Sequence, residues 1–131
     1  MAKCIDVLIA DQSEEMRKKL REILESTGKI KVIGMAKDGK EAISLFEKLK
    51  PHAVILDIKI PVQGGVETAV ELYFRAPEIP IIILRDYPEL RFRETFLKTK
   101  HIVFLDKSKE FEMIPKVLEK LCQGSLKKKK K

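Results

Sequence analysis

The sequence predicts an α/β protein of the doubly wound class: one parallel sheet of five strands with helices on both faces. Two patterns predict it. Five short apolar runs recur along the chain, and most are continuous rather than alternating, as strands buried on both faces require. Between them lie stretches with apolar residues at helical spacing. The length of 131 residues suits one domain with a core of its own.

The elements follow in order. Val7-Leu8-Ile9-Ala10 is the first strand, and Ser13 then offers an N-cap to a helix with Met16, Leu20, Ile23 and Leu24 on one face. Thr27-Gly28 closes that helix, and the second strand covers 30–36. Asp38 with Glu41 reads as a capping-box variant, opening a helix whose apolar face is Ala42, Leu45, Phe46 and Leu49. Pro51 precedes the third strand, Ala53 to Leu56, and Val66, Ala69, Val70 and Tyr73 mark the next helix. Pro80 precedes the fourth strand, Ile81 to Leu84; a helix over 90–97 has the weakest periodicity. The fifth strand is Ile102 to Leu105. Ser108 is a candidate N-cap before a final helix with Ile114, Val117, Leu118 and Leu121. Each crossover is long enough for a helix, so the strands run parallel with right-handed connections.

Composition narrows the function classes. At 44% hydrophobic and 36% charged residues the chain fits a soluble globular class, and the absence of Trp argues against a base-stacking or carbohydrate platform. The net charge of +7 includes five from Lys127 to Lys131; taking those five from 27 leaves 22 basic residues against 20 acidic. The basic character belongs to the tail, so the domain is expected over 1–124 and a self-repelling, disordered tail over 125–131. Such a tail could reach nucleic acid or an anionic surface, but nothing base-reading accompanies it, and neither nucleic acid nor membrane is expected as a partner. Cys4 and Cys122 are too few for a disulfide framework and read as free thiols. No run approaches the roughly 18 apolar residues of a membrane span. The start has no signal-peptide core, so a cytoplasmic location is expected. His52 and His101 read as surface residues. No Gly-rich nucleotide loop or Ser nucleophile elbow is present.

In open α/β sheets ligands sit beyond the carboxyl ends of the strands. The residues there are Asp11 and Gln12 after the first strand, Asp57 after the third, Arg85 and Asp86 after the fourth, and Lys107 after the fifth. Two carboxylates from different strands are therefore expected to share a cleft with two cations.

At these positions the chain resembles the receiver domains of two-component response regulators. The resemblance rests on Val7 to Arg17, on Gly34 to Ala42, on His52 to Pro61 with Gly64-Gly65, and on Phe104 to Lys107, in order and at matching spacing. It covers about residues 5 to 122. It implies a flavodoxin-like (βα)5 sheet of strand order 2-1-3-4-5. Asp57 then stands at the phosphoacceptor position, Lys107 pairs with the phosphoryl group, and Phe104 is the aromatic switch position. Mg²⁺ would be held by Asp11, Asp57, Gln12 and the Lys59 backbone carbonyl. The implied partners are a histidine kinase or phosphotransfer protein and an output protein. The face of the fourth helix, fifth strand and fifth helix is where an output partner or second copy would dock. In that region Tyr87, Arg91, Phe92, Arg93, Phe96 and Lys98 are candidates for contact.

Three positions depart from the family. Gln12 replaces an acidic metal ligand, Arg85 replaces a small hydroxyl residue at the switch position, and Asp86 replaces a small one. At an effective dielectric of about 20, one charge contact near 4 Å is worth about 4 kcal/mol before desolvation. Losing an acid while gaining bases predicts weak or absent Mg²⁺ binding and a degenerate site. One reading is an atypical phosphorelay receiver, not an enzyme; the alternative is a phosphorylation-independent pseudo-receiver that works through protein contacts. An Asp-nucleophile phosphatase is a remote third, since Lys59 stands where that chemistry wants a second acid.

Overall fold

The computed structural model describes residues 4–86 and 101–129, with side chains as far as residue 123 in the last helix. Strand β1 (Ile5–Ala10) leads to helix α1 (Glu14–Glu25), then β2 (Ile30–Ala36), α2 (Gly39–Leu49), β3 (Ala53–Asp57), α3 (Gly65–Arg75), β4 (Ile81–Arg85) and β5 (Ile102–Asp106). A single 3₁₀ turn over Phe111–Met113 opens helix α4 (Ile114–Lys129). The helix expected over 90–97, with Tyr87 and its basic and aromatic residues, lies outside the described residues. The strands form one parallel sheet in the order β2-β1-β3-β4-β5, as expected.

The continuous apolar runs are now explained. Alternate residues of each strand feed two separate cores. Leu8, Ala10, Val54, Leu56, Ile81 and Ile83 face α2 and α3. Val7, Ile9, Ala53, Ile55, Ile82 and Leu84 face Leu20 and Leu24 of α1 and Ile114 and Leu118 of α4. A polar residue on either face would be stranded without water, so the two-residue period of a half-exposed strand disappears.

Three strands run one residue past their apolar runs. Asp57, Arg85 and Asp106 are the last residues of β3, β4 and β5 rather than the first residues beyond them. The backbone ladder continues after hydrophobicity has stopped: Ile58 N donates to Leu84 O and Lys107 N to Arg85 O, each at 2.8 Å. β2, at the sheet margin, shifts register against β1 so that Ile33 is skipped between the Val7–Val32 and Leu8–Gly34 pairs. Nearby, the Glu25 carboxylate accepts from Val32 N at 3.0 Å.

The caps are mostly those the sequence suggests. Ser13 Oγ accepts from Met16 N, and Asp38 Oδ1 accepts from Glu41 N. Glu41 reaches back to Lys37 N at 2.7 Å, one residue before the usual capping-box partner. Gly28 takes φ +75° after α1, a conformation that costs glycine nothing. Ser108 is a correction. It caps no helix; its N–H and hydroxyl both donate to Asp106 Oδ1, which also accepts from Lys109 N at 2.9 Å. An aspartate ending a strand can bond the amides ahead of it, and this turn delays the helix to Ile114. The α4 backbone continues to Lys129, past the boundary at 124 that composition suggests. None of the described helices is long and apolar enough to cross a membrane.

Both cysteines are free thiols; Cys4 is exposed and Cys122 is buried. Burial pushes the Cys122 thiol up to about 11, so almost no thiolate forms at neutral pH. A thiol-reactive chromophore should therefore titrate about one group per chain in the native protein and two after denaturation. Two fast groups in the native protein would contradict the packing of α4.

Candidate functional site

The site is assembled by three strand ends. β1 delivers Asp11, whose N–H donates to Ala36 O at 3.0 Å and whose Oδ1 accepts from Ser13 N at 2.8 Å. Arg17 Nη1, one turn into α1, donates to the backbone oxygens of Asp11 at 2.7 Å and Gln12 at 3.2 Å. β3 delivers Asp57, whose Oδ2 accepts from Lys59 N at 3.1 Å. β5 delivers Lys107, which reaches back across the sheet.

The Lys107 ammonium bridges the two acids, with Nζ 2.7 Å from Asp57 Oδ1 and 2.8 Å from Asp11 Oδ2. Asp11 and Asp57 are only 2% and 7% exposed, so this charge contact operates where water screens poorly. The contact to Asp57 is a hydrogen bond. That to Asp11 Oδ2, at 2.8 Å, is an ion pair that holds the second carboxylate to the same ammonium.

Burial pushes the Asp57 carboxyl up, the Lys107 hydrogen bond and charge pull it down, and the negative Asp11 adds to the rise; the net direction is up. For Lys107, burial pulls the ammonium down, but two carboxylates outweigh it and hold the proton more firmly than usual. The Lys107 cation thus holds both acids at once.

The remaining sequence candidates are placed less centrally. Gln12 and Asp86 are exposed. Lys59 is exposed too, and the group it brings to Asp57 is its amide. Arg85 is buried at 9% exposure at the end of β4, beside the strand that carries Asp57. Phe104 is half-buried and packs against the core that holds Ile81, Ile83 and Ile102. Beside Lys107, between Met16 and Lys19 of α1 and the Ser108–Lys109 turn, lies an open cleft of about 500 Å³.

Besides Arg17, two supporting residues were not legible as such. Thr68 has no exposed surface, and its hydroxyl contacts Gln63 O at 2.6 Å and Gly64 O at 2.7 Å, pinning the loop after Asp57. The other is Val62, at φ +72°. Gln63 N donates to Pro61 O at 2.8 Å, which makes a γ-turn centred on Val62 with the rarer, strained hand. A β-branched residue there costs about 1–3 kcal/mol.

The family model described as response regulator receiver domain matches residues 7–119. The chain belongs to this family. The receiver of Thermotoga maritima CheB superimposes with a TM-score of 0.77 at 30% identity, covering 94% of this chain and 97% of that one. A protein-glutamate methylesterase/protein-glutamine glutaminase of Methanococcoides burtonii is 34% identical over 119 residues, which is 89% of this chain and 34% of that protein. The transcriptional regulatory protein DegU of Brevibacillus brevis is 26% identical over 92% of this chain and 51% of its own length. This receiver therefore spans about a third of the first of these relatives and about half of the second. It is a domain of two-component signalling, a family in which phosphorylation falls on an aspartate.

Receivers typically use Mg²⁺, and the residues can be tested for fit. Among the described residues no group of three or more His, Cys, Asp or Glu gathers at metal spacing. Two buried carboxylates do converge, and their oxygens are donors of the kind a hard cation takes. The donor set fits Mg²⁺ in kind but is one acid short, because position 12 is a glutamine.

Proposed function

We propose that Asp57 is the phosphoacceptor of this receiver, that Lys107 is the cation that holds the phosphoryl group, and that Mg²⁺ is bound weakly through Asp11 and Asp57. The reading is carried by the Lys107 ammonium placed 2.7 Å from Asp57 Oδ1 and 2.8 Å from Asp11 Oδ2. An Asp57 carboxylate oxygen attacks phosphorus and forms the P–O bond of an acyl phosphate. The bond from phosphorus to the donor's leaving atom breaks, and that atom departs with the electron pair, a histidine nitrogen taking a proton from water and a carboxylate leaving as the anion. Lys107 can pass from the carboxylate to the new phosphoryl oxygens with little movement and neutralise charge there. When bound, Mg²⁺ would supply further neutralisation of those oxygens. Gln12 and the Lys59 carbonyl are assigned as its neutral donors, and Arg85 and Phe104 as the positions that respond to phosphorylation. The donor is a histidine kinase, a phosphotransfer protein or a small acyl phosphate. The chain acts as acceptor and relay, not as an enzyme, with an output partner on the β5–α4 side of the sheet.

The test is intact mass after incubation with a small acyl phosphate and Mg²⁺. A partial single-phosphoryl adduct is expected, absent in Asp57→Ala. No adduct in the wild type would leave a pseudo-receiver that works by protein contact alone. An adduct that survives Asp57→Ala would displace Asp57 from its role.

The missing acid gives a second expectation. Gln12→Asp combined with Arg85→Thr should tighten Mg²⁺ binding by roughly tenfold or more, equivalent to about 1.4 kcal/mol. Titration calorimetry would measure it, and an unchanged affinity would refute the electrostatic account of the weak site.

A further inference from the structure

We propose that the γ-turn at Val62 is a strained latch on the Asp57 loop, so that the state of this turn and the hold of the loop on the Asp57 carboxylate change together. The inference rests on Asp57 being the reacting group, but its own observations are separate.

The loop from Ile58 to Gly64 is tied at both ends. Near Asp57, Lys59 N donates to Asp57 Oδ2 at 3.1 Å and Ile60 N to Asp57 O at 3.3 Å. Ile58 and Ile60 are buried and act as apolar anchors. At the far end, Thr68 holds Gln63 O and Gly64 O, while Gly65 N donates to Ile58 O at 3.0 Å. Pro61 O, the acceptor that closes the γ-turn, also accepts from Gly39 N at 3.2 Å at the start of α2. The middle of this tethered segment is Val62, a β-branched residue in the left-handed region and 69% exposed.

Nothing in the packing of Val62 itself compensates that conformation, because its side chain is largely in water. The surrounding ties impose it. A segment strained at its centre and held at its ends has one easy way to relax, which is to release a tie. The tie most open to change is Lys59 N on Asp57 Oδ2, because esterifying that carboxylate to phosphorus would leave it a poorer acceptor. Strain at Val62 therefore biases the loop toward release when Asp57 is modified. A residue at ease with positive φ would remove the bias.

The experiment compares wild type with Val62→Gly and Val62→Asn; the asparagine variant controls for the flexibility of glycine. Residue-resolved amide exchange is read at Gln63, in the turn, and at Lys59, on the carboxylate. Exchange at both amides is expected to slow at least threefold in both variants. Labelling of Asp57 by a small acyl phosphate should change by at least twofold in the same proteins. Slowing at Gln63 alone, or at neither amide, would overturn the latch. If wild type takes no label while both amides slow together, the phosphoacceptor reading fails and the coupling within the loop stands.

Discussion

Lys107→Met should destabilise the domain by about 3 kcal/mol at neutral pH and abolish phosphoryl labelling of Asp57. The variant keeps the bulk of the side chain and removes the one ammonium that contacts Asp57 Oδ1 and Asp11 Oδ2. Two acids, 2% and 7% exposed, would then lose the ammonium that pairs with both of them. Removing one partner of a buried ion pair usually costs about 3–5 kcal/mol, and the lower end applies because the lysine is partly solvated. The pH dependence has a definite sign. The Asp57 pKa is already raised in the folded protein, so ionising it weakens the fold as pH rises through the interval above 3.8. Without Lys107 that interval widens upward. The Lys107 pKa is raised above 10.5, so its stabilisation is complete at neutral pH and fades only in strong alkali. The deficit of the variant should therefore be large at pH 7 and shrink toward pH 4, as Asp57 takes its proton. Denaturant unfolding at the two pH values measures it. A deficit that does not depend on pH would mean that Lys107 acts by packing alone.

Gly65→Ala should cost about 3 kcal/mol or more and mis-set the phosphoacceptor loop. A Cβ on Gly65 would lie 2.4 Å from Asp57 O and 2.6 Å from Ile58 Cα. Both are backbone atoms of the segment that presents Asp57, so no side chain can swing aside to make room. The N-terminus of α3 would have to withdraw, straining the Gly65 N to Ile58 O bond. Thermal unfolding should drop by roughly 10 °C or more, at about 4 °C for each kcal/mol, the value between those of smaller and larger domains. Labelling of Asp57 should fall in the molecules that remain folded. Gly28→Ala provides the contrast. Its added carbon meets nothing within 4 Å, and only its φ of +75° resists substitution. Equal losses from the two changes would argue against the close approach at Gly65.

Most of the architecture was legible because both faces of the sheet are buried. That demand excludes polar residues from 7–10 of β1, 53–56 of β3 and 81–84 of β4 and leaves runs that the eye can find. The same demand ends at the site, where Asp57 and Arg85 close their strands while still paired. Hydrophobicity therefore places the strand ends one residue early. Asp11, Asp57 and Lys107 were legible as a trio because topology alone brings those strand ends together. Arg17 and Thr68 were not. They act on backbone oxygens, which carry no residue-type signal, and an arginine or threonine in a helix ordinarily reads as surface or filler. The loop after Asp57 was misleading for a related reason. Gly64-Gly65 advertises the turn, yet the left-handed residue is Val62, and Gly65 is needed for clearance rather than for its own dihedral freedom.

The skipped residue at Ile33 and the Glu25 carboxylate on Val32 N have a consequence for crowded solutions. β2 forms one rim of the sheet, and an even row of vacant amides there would template an added strand from a neighbouring molecule. Here the row is broken in step and one donor is already taken. Fibrous stacking through this rim is therefore discouraged by the strand's own geometry.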